Sequence, residues 1–181
     1  MLGESGMHAA GFLPGKFKTM NVRQYFSSQS ANDLTVHWNV QIHLFLKYYV
    51  MLRLMDRTKA RGASQMGPVL ATFAVSSMWH GSYPGYYILF SAFFVSDVIY
   101  KGLPRYQMVQ ITWSKIPKFV QTVLMTLWTF WSIEFFAMGF ILLRLDLFLT
   151  FAGKFNYLPI FLMAALLALS LIAPKSSKAK L

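Results

Sequence analysis

The chain contains no cysteine. Disulfides, thiol catalysis and cysteine-ligated metal sites are therefore excluded. Acidic residues are also scarce. Six Asp and Glu stand against 17 Lys and Arg, giving a net charge of +11 over 181 residues. Charged residues make up only 13% of the chain, against about 25% in an ordinary soluble domain. The opening residues, Met1-Leu2-Gly3-Glu4, lack a basic stretch followed by an apolar one. No signal peptide is expected, and insertion would use internal segments. Internal repeats and low-complexity tracts are absent.

Apolar residues take the place of the missing charge. Hydrophobic residues make up 56% and aromatic residues 17%, and the mean hydropathy is +0.45. These values argue against a soluble globule and against disorder. A pI near 10.0 is compatible with a nucleic-acid partner. A nucleic-acid module, however, has no need of apolar runs long enough to span a bilayer, so no nucleic-acid partner is expected. The composition predicts an all-α, polytopic transmembrane helical bundle whose cations sit in flanks and loops.

Residues 1–33 are mixed and Gly/Ser-rich, and they read as a loop leading into a membrane domain over 34–181. From Leu34 to Met55, the residues Trp38, Ile42, Phe45, Tyr49 and Leu52 follow a helical repeat. Asn39, His43 and Lys47, spaced by four, predict a polar line on the same helix. A basic cluster follows at Arg53, Arg57, Lys59 and Arg61.

The stretch from Pro68 to Tyr100 is mostly apolar but breaks at His80-Gly81-Ser82-Tyr83-Pro84-Gly85. Its halves, Pro68 to Trp79 and Tyr86 to Tyr100, would be about 18 and 22 Å long as helices. Neither covers a hydrocarbon core of about 30 Å. Basic loops lie at both ends, the second carrying Lys101, Arg105, Lys115 and Lys118. The positive-inside tendency assigns both to the cytoplasmic side. The stretch therefore predicts a re-entrant or steeply tilted helical pair with His80 at membrane depth, where irregular backbone needs a protein or water-filled surround. Phe119 to Leu143 is long enough to span and carries one charge, Glu134. Arg144 to Lys154 reads as a short polar break. Phe155 to Ala173 is a final apolar run, followed by Lys175, Lys178 and Lys180.

Four histidines are present: His8, His37, His43 and His80. A histidine in an apolar segment marks either a functional site or a hydrogen-bonded packing position. For His80, Gly81 allows close approach of backbone and substrate, and Pro84-Gly85 sets a turn. Neutral imidazole is a competent general base, suited to taking a proton from an alcohol. A metal site is not expected, since no His/Asp/Glu pair has ligand spacing. A Ser-His-Asp triad lacks any G-x-S-x-G elbow to support it. Asn39 either stabilises a developing oxyanion or makes an interhelical hydrogen bond. Glu134 reads as structural. The basic loops read as topology signals that also attract anionic head groups or the phosphates of a soluble cosubstrate.

Two blocks then carry a resemblance. The stretch Trp38-Asn39-Val40-Gln41-Ile42-His43-Leu44-Phe45-Leu46-Lys47-Tyr48-Tyr49-Val50 is similar to a W-N-x-x…W-L-x-x-Y-V pattern, with Phe45 at the second Trp. The stretch Ser76-Ser77-Met78-Trp79-His80-Gly81-Ser82-Tyr83-Pro84-Gly85-Tyr86-Tyr87 is similar to S-A-x-W-H-G-x-x-P-G-Y-Y, with Ser77 in place of Ala. Both patterns belong to the membrane-bound O-acyltransferases, and the match is closest to their lysophospholipid acyltransferase branch. The resemblance covers about Leu34 to Tyr100. It implies that Asn39 and His80 form the family's active-site pair, 41 positions apart in the chain.

By the same resemblance, the activity is acyl transfer from acyl-CoA to a lysophospholipid hydroxyl, in the multi-pass setting of the endoplasmic reticulum membrane. His80 would be the base and Asn39 the orienting or charge-stabilising group. Trp38, His43, Trp79 and Tyr83 are expected to contact substrate. Acyl-CoA enters as cosubstrate, and no metal or bound cofactor is needed. Such enzymes are much longer, so the chain is expected to be their C-terminal part: a fragment, a short isoform or a mispredicted gene model. The alternatives are a catalytically inert membrane remnant that interacts with other membrane proteins and, last, a transporter with His80 and Glu134 on an ion path.

Overall fold

A computed structural model of the chain describes residues 19–60 and 66–173. His8, Arg61, Lys175, Lys178 and Lys180 lie outside the described residues, as does the side chain of Lys59. Among the described residues the structure is helical throughout, without strands, as an all-α bundle requires.

The helices run in the order α1 (Val22–Phe26), α2 (Ala31–Trp38), α3 (Val40–Leu46), a π-helical turn (Lys47–Met51), α4 (Leu52–Ala60), α5 (Met66–His80) and α6 (Pro84–Gly102). A short 3₁₀ turn (Leu103–Arg105) leads to α7 (Gln107–Ser114), α8 (Lys118–Leu142), α9 (Leu145–Gly153) and α10 (Leu158–Leu171).

The expected continuous helix from Leu34 to Met55 is interrupted. Asn39 leaves the helical region at φ −134° and ψ 80°, and its side chain accepts a hydrogen bond from the Ile42 amide at 3.3 Å. A short polar side chain that can bond the backbone favours a new helix start over helix continuation. The polar line Asn39–His43–Lys47 is therefore split, with Asn39 capping α3 instead of lying on it. Upstream, the Ser30 hydroxyl caps α2 by accepting from the Asp33 amide at 3.1 Å.

The halves of the broken segment are unequal, against the expectation that neither could span. α5 has 15 residues, about 22 Å. α6 starts at the break itself, with Pro84 in its first turn, where the missing N–H costs nothing. It runs on through the 3₁₀ turn to Arg105, and these 22 residues are long and apolar enough to cross a membrane. α8, with 25 residues, is a second such helix. Arg144 to Lys154 is not a polar break. Leu145, Leu147, Phe148, Leu149 and Phe151 drive it into α9, which Arg144 precedes while bonding Asp146 (Nε to Oδ1, 3.0 Å). α9 and α10 together are long and apolar enough for a broken span or a re-entrant loop, bent by 96°. The bend falls where Asn156 and Tyr157 adopt left-handed backbone, φ 51° and 56°.

α6 is the central helix, packed on α5, α8 and α10. The main core joins Ala92 and Ile99 of α6 to Phe135 and Phe136 of α8, Phe148 and Ala152 of α9 and Met163 of α10. A second cluster places Ala31 and Leu34 of α2 against Ile133 of α8. Two close approaches set the spacing. A Cβ on Gly85 would lie 1.9 Å from the Gly139 carbonyl oxygen, and one on Gly102 would lie 2.5 Å from Ser170 Cβ. The Gly85 amide also donates to the Leu143 carbonyl at 3.2 Å, tying the start of α6 to the end of α8.

Candidate functional site

His80 is the last residue of α5. The chain turns at Gly81, whose φ of +126° is a left-handed conformation that side chains disfavour. Three rings surround the imidazole. Phe90 stacks on it with centroids 5.2 Å apart, Phe140 meets it edge-on at 5.2 Å, and Tyr86 leans on it at 5.6 Å. Tyr86 also contacts Phe140 at 4.8 Å, which closes the box between α6 and α8. The imidazole is thus held by apolar surfaces on several sides yet remains exposed on the outer one. Such a box restricts the ring's rotamers while leaving a nitrogen available.

The first sequence block meets the second through aromatic contacts. Phe45 lies 5.7 Å from Trp79 and 5.1 Å from Tyr49. The π-helical turn packs on α5. Such turns recur at functional sites because they rotate the following side chains. Asn39 is exposed, with its side-chain oxygen used in the cap. No hydrogen bond joins Asn39 to His80. Trp38 is exposed and rests on Tyr25 at 5.5 Å. His43 is half-buried one turn beyond Asn39. Trp79 and Tyr83 are exposed, and Tyr83 lies 6.0 Å from Tyr86. Trp79 and Tyr83 therefore flank His80 in the chain, whereas Trp38, Asn39 and His43 make no ring contact or hydrogen bond with it.

The sequence did not single out Phe90, Phe140 or Tyr86 as companions of His80. Tyr86 lies within the quoted motif, but Phe140 is 60 positions from His80 in a different helix, and nothing local marks it. Glu134 has a partner that the sequence also hid. Burial, and next the nearby Glu134 carboxylate, raise the Tyr25 hydroxyl above its ordinary pKa. Among the described residues no three His, Asp or Glu side chains gather as a metal would need.

An all-helical protein with two or three spanning elements and a turn-borne histidine set among aromatic rings belongs to the polytopic membrane proteins. The family follows from the sequence match. Residues 10–140 match the membrane-bound O-acyltransferase family, and the chain belongs to it. It is 33% identical over 158 residues to lysophospholipid acyltransferase 1 of Arabidopsis thaliana, a match covering 84% of this chain and 33% of that protein. It is 30% identical over 149 residues to lysophospholipid acyltransferase 2 of the same plant, covering 81% of this chain and 31% of that protein. A 65-residue segment is 35% identical to a lysophospholipid acyltransferase of Saccharomyces cerevisiae, covering 36% of this chain and 10% of that protein. The chain thus spans about a third of the length of the two plant relatives.

Proposed function

We propose that the chain carries the reacting part of a lysophospholipid acyltransferase, which moves an acyl group from acyl-CoA to the free hydroxyl of a lysophospholipid in the endoplasmic reticulum membrane. The aromatic box around His80 carries this reading. His80 takes the proton of the lipid hydroxyl as general base. The oxygen attacks the thioester carbonyl, the tetrahedral intermediate collapses, and the C–S bond breaks. The CoA thiolate takes the proton back from the imidazolium. Asn39 orients the acceptor or donates its amide N–H to the developing oxyanion, a role left open to it because the cap uses only its oxygen. Trp79 and Tyr83 form the walls beside the base.

The test is His80→Ala in microsomes lacking endogenous lysophospholipid acyltransferases. Acyl transfer should vanish while membrane insertion and yield are unchanged. Full activity in this variant would remove His80 from the reaction.

A second reading is an inert membrane segment. It is favoured by the outward exposure of both Asn39 and His80 and by the chain's span of about a third of the plant relatives, because acyl transfer over hydrolysis needs a water-poor chamber. The parent chain expressed alone in the same microsomes separates the two: transfer above background supports the enzyme, and none supports the inert segment.

A further inference from the structure

A cavity of about 1000 Å³ opens at the far end of α6 from His80, between α6, α7, α8 and the turn before α2. Ser96, part of its lining, lies 12 residues along α6 from Pro84, about 18 Å beyond the helix start next to the His80 turn. The cavity is therefore separate from the site described above. Its volume lies at the upper end of the range for small-molecule pockets, about 300–1,000 Å³.

The lining is ordered by depth. Lys118, the first residue of α8, and Gln110 of α7 are exposed at the rim, where Gln110 Nε2 donates one hydrogen to the Pro104 carbonyl at 2.6 Å and keeps a second. Lys118 is exposed and has no ion-pair partner among the described residues. Further in, Trp113 and Trp128 supply apolar walls. Ser96 is only 8% exposed, and its hydroxyl is buried without a hydrogen-bond partner. A buried hydroxyl left unpaired costs about 1–3 kcal/mol, so the vacancy calls for a polar atom from a ligand. Ser96 lies eight residues from Pro104 at the mouth, or about 12 Å along the helix. From Lys118 to Ser132, at the inner end, α8 runs about 21 Å. Half of a bilayer with its head groups measures about 20–22 Å.

The geometry points to a second lipid site: a glycerophospholipid with its phosphate at Lys118 and Gln110, an ester oxygen accepting from the Ser96 hydroxyl, and its acyl chain along Trp128. A cation at the rim, whose long flexible stem can carry its charge inward, an unpaired hydroxyl about 12 Å below Pro104 along α6 and apolar walls between follow the order of head group, ester and chain. This lipid is not an acyl acceptor, because its glycerol lies far along α6 from His80.

The test places the full chain in nanodiscs of phosphatidylcholine doped with a phosphatidylglycerol whose acyl chain carries a diazirine. Illumination and peptide mapping then locate the adducts. Adducts concentrated on the cavity wall around Trp128, over exposed apolar positions away from the cavity such as Ile141 and Phe161, are expected. Ser96→Ala should reduce them several-fold and Lys118→Glu likewise, and Ser96→Leu should reduce them at least tenfold, all with unchanged elution of the protein. Ser96→Ala removes only an oxygen, so it remains informative if the leucine variant misfolds. Inorganic phosphate at millimolar concentration should leave the adducts in place. Their loss to phosphate alone would mean that the mouth binds free anion and would overturn the lipid assignment. Adducts spread evenly over the exposed apolar residues would also overturn it.

Discussion

Replacing Gly85 with alanine should separate α6 from α8 and disable His80 without touching it. The added Cβ would sit 1.9 Å from the Gly139 carbonyl oxygen, 2.8 Å from its carbon and 2.9 Å from Leu143 Cα. All three atoms are backbone, so no rotamer change relieves the clash. Restoring ordinary contact at 3.4 Å requires the helices to part by about 1.5 Å. Overpacking of this kind costs about 1–3 kcal/mol. The Gly85–Leu143 backbone bond, stretched at the same time, contributes about 0.5–1.5 kcal/mol more. The sum is roughly 1.5–4.5 kcal/mol, or roughly 3–18 °C in melting midpoint for a chain of this size. Catalysis should suffer further. Tyr86 and Phe140, the neighbours of the two glycines, form two sides of the box on His80, and misplacing a reacting group by about 1 Å can cost about 100-fold.

Gly139→Ala is the control. Its Cβ would lie 3.0 Å from Ile88 Cγ2 and 3.2 Å from Ile88 Cβ, contacts that a shift of a few tenths of an ångström relieves, far less than Gly85→Ala demands. Melting in detergent, followed by size-exclusion chromatography, and acyl transfer per folded molecule measure both effects. If Gly85→Ala melts like the parent, or if Gly139→Ala is the worse of the two, the close-packing account fails.

Asn39→Ser keeps an N-cap acceptor and removes the amide N–H. Yield should match the parent while acyl transfer falls at least tenfold, whereas Asn39→Ala should also lose about 1 kcal/mol of stability. Parent-like transfer in the serine variant would reduce Asn39 to a cap. Tyr25→Phe and Glu134→Gln should each destabilise by about 1–2 kcal/mol, and the double variant should cost clearly less than their sum. Strict additivity in thermal melts would refute a coupling between the two.

The helical class, the span over α8 and the break at His80 were all legible, because each rests on composition or on a run long enough to average out local detail. Failures came where one side chain outbid the local pattern. Asn39 fits a four-residue polar spacing, yet its amide oxygen starts a helix there instead of continuing one. Arg144, Asp146 and Lys154 suggested a polar break, but their neighbours Phe148 and Ala152 are almost fully buried, and packing against α8 outweighed three charges at the helix ends. The box around His80 was half legible. Gly81 and Pro84-Gly85 announce the turn, while Phe140 comes from a helix that no local spacing connects to it. Tertiary partners of this kind are set by the Gly85–Gly139 approach, and a lone glycine in an apolar run does not reveal which helix it will meet.

α6 explains why one helix can serve two sites. Its first residue follows the His80 turn, and because the span begins at Pro84 that turn lies at the end of the span, with Ser82 and Tyr83 exposed, and not at mid-membrane as the sequence predicts. Small residues at both ends allow neighbours to approach closely, α8 at Gly85 and α10 at Gly102. With its ends so clamped, the middle of α6 need not close fully on α8, and Ser96 is left facing unfilled space next to Thr129 and Ser132. A packing optimum would place an apolar side chain at Ser96 and close the gap. A buried hydroxyl without a partner, kept in the most tightly held helix of the bundle, is understandable if something other than protein completes the contact. Filling that gap with Ser96→Leu should therefore raise thermal stability in lipid-free detergent while cutting lipid capture at least tenfold. A loss of both would mean that the gap is ordinary packing.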